Sequence, residues 1–198
     1  MPTLQWLTND TEALAEAERS RKPIVLQFIR ENCAGCSKMD HHVFSDAPTV
    51  TMLGEQFVPL RQNILTDRAV RSRYAALWTP SFYFLNTDGK LLWFSEGPLD
   101  AADFRTVCAL GRSRYLLHKG RYEEVIDLID ARLAARENDP RGPQLIFARG
   151  MAYYLRFGDK DAFHAAMEEI VERYPHSPEA RMWPWEGQYP LPPGYENP

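Results

Sequence analysis

The chain has 198 residues, 44% of them apolar, and a formal net charge of −4. That length holds one large domain or one ordinary domain plus a small appendage, and the apolar share supports a packed core and excludes a disordered chain. So mild an acidic balance gives no electrostatic reason to expect nucleic acid or a membrane surface as a partner. No apolar run approaches the length of a membrane span. The start, Met1 to Trp6, lacks a basic patch followed by an apolar stretch, so no secretory leader is expected and the expected location is cytoplasmic. Three cysteines, an odd and small number, argue against a disulfide-stapled secreted fold.

In chain order, Leu4 to Leu7 is a candidate extra strand, and Thr11 to Arg21 reads as a helix ended by Lys22-Pro23. Ile24 to Ile29 is the short, nearly continuous apolar run of a buried strand. Cys33-Ala34-Gly35-Cys36 follows directly and opens a helical stretch, which is interrupted near Ser45 to Pro48 and resumes behind an Asp46 cap. Phe57 to Ile64 reads as a strand despite Pro59, and Asp67 to Leu77 as a helix. Ser81–Leu85 and Lys90–Phe94 flank Asn86-Thr87-Asp88-Gly89, a strong hairpin signal because glycine supplies positive φ at no steric cost. A helix starts at Leu99-Asp100 and runs to about Leu117, with Cys108 spaced for its buried face as a small core residue. This order predicts an α/β fold, a mixed sheet with helices on both faces.

Beyond Gly111 the pattern is helical only. Tyr115, Gly120, Val125, Ile129, Leu133 and Pro140 recur 38 positions later as Tyr153, Gly158, Phe163, Met167, Val171 and Pro178. Two such units cannot bury their apolar faces singly, so docking onto the first domain is expected. The tail from Trp183 is too rich in proline for regular structure, and its aromatics suit strapping across a surface or binding a partner.

A strand running into Cys-x-x-Cys at a helix N-terminus is a dithiol device. The exposed amides and the positive end of the helix dipole favour thiolate at the first cysteine, making Cys33 the candidate nucleophile and Cys36 the resolving thiol. A zinc site built from Cys33, Cys36, His41 and His42 is a rival. However, an offset of five residues from Cys36 to His41 turns the two apart on a continuous helix, and no second ligand pair at metal spacing follows.

Four features stand in register: the dithiol after the central strand, Asn63-Ile64 ending the next strand, Trp78-Thr79-Pro80-Ser81 before the hairpin, and Gly97 after it. With them, residues 1–112 resemble the thioredoxin superfamily. The resemblance implies a thioredoxin-like domain over 1–112, and with it a protein-disulfide reductase without cofactor or metal, in which Cys33 and Cys36 are catalytic. It implies that Pro80 is cis and faces the dithiol, and that Trp78, Thr79 and Pro80 bind substrate, Thr79 through its backbone. Trp78 also suits plain packing at a strand entry. The implied partners are disulfide-containing proteins, with thioredoxin reductase or a glutathione system as electron donor.

The departures point to altered redox poise. Asn32 stands where thioredoxins have tryptophan, Ala34-Gly35 replaces Gly-Pro, and Gln27 replaces a buried aspartate near the second cysteine. Gln27 cannot transfer a proton at neutral pH. Arg61 stands near the family's lysine partner of that aspartate. The run from Lys22-Pro23 through Lys38-Met39 to Phe44-Ser45-Asp46 looks closer to bacterial thioredoxin-like proteins of the thioredoxin-related type. Residues 113–182 resemble tetratricopeptide repeats and form a helical extension, followed by the Pro/aromatic-rich tail 183–198; a plain helical cap fits the same pattern. The alternative function is therefore a thioredoxin-fold co-chaperone or scaffold that binds clients through its helices.

Overall fold

The computed structural model describes residues 4–182; the expected strapping by the tail from Trp183 lies outside the described residues. The chain divides into two compact units, Met1–Tyr115 and Leu116–Pro198.

The first unit is built on a four-stranded sheet in the order β2-β1-β3-β4, with strands β1 (Ile24–Ile29), β2 (Val58–Asn63), β3 (Ser81–Leu85) and β4 (Leu91–Glu96). β1 pairs parallel with β2 and antiparallel with β3, and β3 pairs antiparallel with β4. The mixed sheet expected from the element order is thus present. β1 is buried because it is central, which is why its sequence is apolar at every position but Gln27 instead of alternating. The Leu4–Leu7 strand shrinks to one parallel bridge, Leu7 to Leu60. Leu7 accepts from Arg61 N (2.8 Å) and donates to Pro59 O (2.9 Å), while Val58 N turns the other way, to Pro23 O. Odd residues of β2 therefore face the outer edge. Pro59 sits there with its missing N–H pointing away from β1, so a proline is tolerated within the strand.

Helices α1 (Asp10–Ser20) and α4 (Arg68–Tyr74) supply Ala13, Ala17 and Val70 to one core, against Leu26, Phe28, Leu60 and Tyr83 on one sheet face. On the other face, α2 (Ala34–His42), α3 (Ala47–Gln56) and α5 (Ala101–His118) cover Val25, Phe82 and Phe84 with Met39, Leu53, Phe104 and Val107. Cys108 belongs to this second core, and burial pushes its thiol well above its ordinary pKa. The break between α2 and α3 falls where the sequence places it, since Asp46 Oδ2 caps α3 by accepting from Thr49 N (3.1 Å) and Thr49 Oγ1 (2.6 Å). The same oxygen takes Arg105 Nη1 of α5 at 2.6 Å, tying the two helices together. Helix α4 is shorter than the expected Asp67–Leu77. Ala75 turns left-handed (φ 51°), and its N–H and that of Ala76 return to Ser72 O and Arg71 O, which ends the helix at Tyr74.

The second unit holds α6 (Tyr122–Ala135), α7 (Gly142–Phe157), α8 (Lys160–Arg173) and a 3-10 turn at Glu179–Met182. α7 packs on both α6 and α8. Its Arg149 reaches Asp130 of α6 (2.8 Å) and Glu169 of α8 (2.5 Å), while Ile129, Leu145, Ala152, Met167 and Ile170 form the apolar interior. Gly120 and Gly158, the paired glycines of the 38-residue recurrence, both stand at positive φ (70° and 64°) just before a new helix.

In α5, a Cβ at Gly111 would lie 2.1 Å from Cγ and Cδ1 of Phe84, so the helix reaches the sheet only without a side chain there. Gly111→Ala is expected to cost about 2–3 kcal/mol in urea unfolding. Gly54→Ala on the exposed face of α3, where a Cβ meets nothing within 4 Å, is expected to stabilise by up to about 1 kcal/mol. Equal midpoints for the two variants would contradict this packing account.

Candidate active site: a dithiol at the start of helix α2

Two local features place Cys33. Asn32 adopts the left-handed conformation (φ 54°), which asparagine tolerates better than most residues, and turns the chain after β1. Cys33 is then extended (φ −96°, ψ 103°) as the N-cap of α2, and its Sγ accepts from Cys36 N at 3.1 Å. A sulfur there receives an otherwise orphan helix amide and the positive end of the dipole, both of which favour a thiolate once the pair is reduced. In the structure Cys33 and Cys36 are disulfide-bonded, with their Cα atoms 5.2 Å apart. Both are nearly buried, Cys33 at 9% exposure and Cys36 at 5%.

Pro80 lies directly against this turn. A Cβ at Gly35 would stand 2.8 Å from Pro80 Cδ and 3.6 Å from Pro98 Cβ, so only glycine lets the backbone between the cysteines pack on the ring. The Thr79–Pro80 bond is cis. Pro80 O accepts from Gly97 N (2.9 Å), and Trp78 O accepts from Ser81 Oγ (2.9 Å). Between them, the N–H and carbonyl of Thr79 have no hydrogen-bond partner among the described residues. Trp78 is 60% exposed, against the alternative of packing into the core at the strand entry. Beside Thr79 opens a groove of about 540 Å³, walled by Leu65, Leu77 and Trp78 and carrying Arg30 and Arg71.

Beneath α2 the polar arrangement is unusual. Gln27 is fully buried on the central strand, and its Oε1 accepts from Arg61 Nε at 2.9 Å. Arg61 continues to Asp40 Oδ1 on α2 (2.6 Å), and its guanidinium lies 4.5 Å from the Trp6 ring centre and 5.6 Å from that of Phe44. Asp40 is one helical turn beyond Cys36 on the same face. The counter-charge of Arg61 has thus moved from the central strand to the helix above it. The second amide atom of Gln27, Nε2, is buried without a partner. Asp40 was not singled out in the sequence; its i, i+4 spacing from Cys36 was the available signal.

His41 and His42 are exposed, and His41 Nδ1 contacts Ser37 O (2.9 Å). No cluster of three or more histidine, cysteine or carboxylate side chains suited to a metal forms among the described residues. No described helix is long and apolar enough to cross a membrane.

Comparison with known proteins places this geometry. A DsbH oxidoreductase structure aligns at TM-score 0.51 and 19% identity, covering 56% of this chain and 85% of that one, a likeness of fold. A thioredoxin from Thermus thermophilus aligns at 28% identity and TM-score 0.48, covering 56% of this chain and 91% of that one. A putative disulphide-isomerase from Bacteroides thetaiotaomicron aligns at 24% identity and TM-score 0.49, covering 55% and 90%. No curated protein matches the chain. The thioredoxin-like domain family matches residues 11–110, the span that carries the sheet, the dithiol and the cis-proline. Fold and dithiol together support thiol–disulfide oxidoreductase chemistry on disulfide-containing proteins in general, and the chain belongs to the thioredoxin-like family.

Proposed function

We propose that the chain is a protein-disulfide reductase in which Cys33 attacks and Cys36 resolves. The observation that carries this reading is Cys33 Sγ at the N-cap of α2, accepting from Cys36 N. The Cys33 thiolate attacks one sulfur of a substrate disulfide in line. The substrate S–S bond breaks, and the departing thiolate takes a proton from water. Cys36, deprotonated, then attacks Cys33 Sγ and releases the second substrate thiol. Two electrons and two protons have passed to the substrate, leaving the Cys33–Cys36 disulfide, the state present in the structure. A two-electron donor, thioredoxin reductase acting directly or two molecules of glutathione that leave as their disulfide, returns the pair to the reduced form. Reduction is favoured over oxidation by cysteine usage. Three cysteines, one of them free and buried, suit a reducing cytoplasm better than an oxidising compartment.

In the same proposal, the substrate chain lies as an added strand along Thr79, whose free N–H and carbonyl would pair with it beside Pro80 and Trp78. Gln27 acts as a positioning residue: it holds Arg61 and leaves Cys36 without a buried base. A second reading, client binding by a tetratricopeptide-like helical extension, is favoured by Tyr154, Leu155 and Phe157, large side chains exposed at the end of α7.

Insulin reduction with dithiothreitol should be abolished in Cys33→Ser, whereas Cys36→Ser should accumulate a mixed disulfide visible on non-reducing gels. Precipitation rates equal to those of the wild type would refute the assignment. Gln27→Asp supplies the missing base. It is expected to speed release of the mixed disulfide about ten- to hundred-fold near neutral pH and to add an ionisation to the pH profile. An unchanged profile would remove Gln27 from the site. For the second reading, suppression of heat-induced client aggregation should survive Cys33→Ser and weaken in Leu155→Ser/Phe157→Ser; loss with Cys33→Ser would count against it.

A further inference from the structure

The groove beside Thr79 differs in charge from the rest of the protein. The chain carries a net charge of −4, yet this groove is lined by two arginines and by no carboxylate. Neither Arg30 nor Arg71 has an ion-pair or side-chain hydrogen-bond partner among the described residues, whereas Arg73, two positions on, pairs with Asp10 at 3.3 Å. Arg30 directly follows the last residue of β1, three residues before Cys33, and Arg71 stands on α4. The wall between them is apolar and solvent-facing: Leu77 is 86% exposed, Trp78 60% and Leu65 57%. Large apolar side chains gathered beside unpaired cations form a surface suited to a ligand that is apolar and anionic at once.

We infer that this groove selects protein disulfides whose reacting cysteine is followed or preceded, within about two residues, by a large apolar and an acidic side chain. The inference rests on the dithiol reading above and names its substrate class. An extended chain advances about 3.3 Å per residue, so a strand paired with the free backbone of Thr79 carries its neighbouring side chains over Trp78 and Leu77. Leu65 and Leu77 cover the apolar one, and Arg30 and Arg71 face the carboxylate. Arg30 and Arg71 are specificity-determining residues; the sulfur chemistry proceeds without them.

The test uses the full chain, pre-reduced, and synthetic peptide disulfides with leucine next to the cysteine and either glutamate or lysine beyond it, on either side. Single-turnover rate constants are expected to favour the glutamate peptides about five-fold at low salt. The ratio should fall toward one at about 0.5 M salt, where the screening length is only a few ångströms. Arg30→Gln/Arg71→Gln should bring the ratio to about one at low salt, and Arg30→Glu/Arg71→Glu should reverse it in favour of lysine. Equal wild-type rates, or a glutamate preference that survives charge reversal, would overturn the inference. Failure to reduce any of the peptides would overturn the dithiol reading and this inference with it, whereas reduction of all at one rate overturns this inference alone.

Discussion

The backbone of Gly35 lies against the ring of Pro80 with no room for a Cβ, and the organisation of the site follows from that contact. It seats the first turn of α2 on the segment that leads into β3, and so brings together two stretches far apart in the chain. Cys33 caps the helix on one side of the contact. On the other, Pro80 and Trp78 engage their own carbonyls with Gly97 and Ser81, leaving the backbone of Thr79 open. A close approach of backbone to ring is a steric constraint independent of charge or pH, and it holds the sulfur turn and the open strand edge in one geometry.

Electrostatics beneath the dithiol follow a different plan from the one the family resemblance implies. A buried aspartate would place an ionisable group next to Cys36. Here a neutral amide occupies that position, and the charge pair has moved outward to Arg61 and Asp40, with Arg61 supported by Trp6 and Phe44. The desolvation cost of a buried carboxylate is avoided, at the expense of one unpartnered amide NH2 group, Nε2 of Gln27. The half-exposed Arg61–Asp40 pair contributes little stability by itself. Its consequence lies in orienting Gln27, so that the buried position on the central strand holds a neutral amide while the carboxylate stays at the partly exposed surface of α2.

The second unit is simpler in its physics. α7 is held between α6 and α8 by small residues and by Arg149, which joins carboxylates on both neighbours. Gly150 meets Ala166 with no space for a Cβ, so the α7–α8 crossing depends on small side chains at one point. The aromatic and aliphatic side chains at the end of α7 are left outside that packing.

Most of the secondary structure was legible because it depends on local signals: the buried run of β1, the Asp46 cap, the Asp88-Gly89 hairpin and the Asp100 start of α5. Errors fell where local preference meets tertiary geometry. Ala75 turns left-handed although alanine is a strong helix former, and Leu4–Leu7 makes a single bridge because only Leu7 meets β2 in register. The dithiol and its position at a helix start could be read from spacing, and the Thr79-Pro80 element from the family resemblance. What required the fold was everything that rests on distance across the chain: Gly35 against Pro80, Arg61 shared between Gln27 and Asp40, and two unpaired arginines meeting in one groove. Sequence determines residue type and local conformation through nearest-neighbour forces. Which side chains face one another, and hence how the dithiol is tuned and what it admits, is decided only when the sheet brings distant segments into contact.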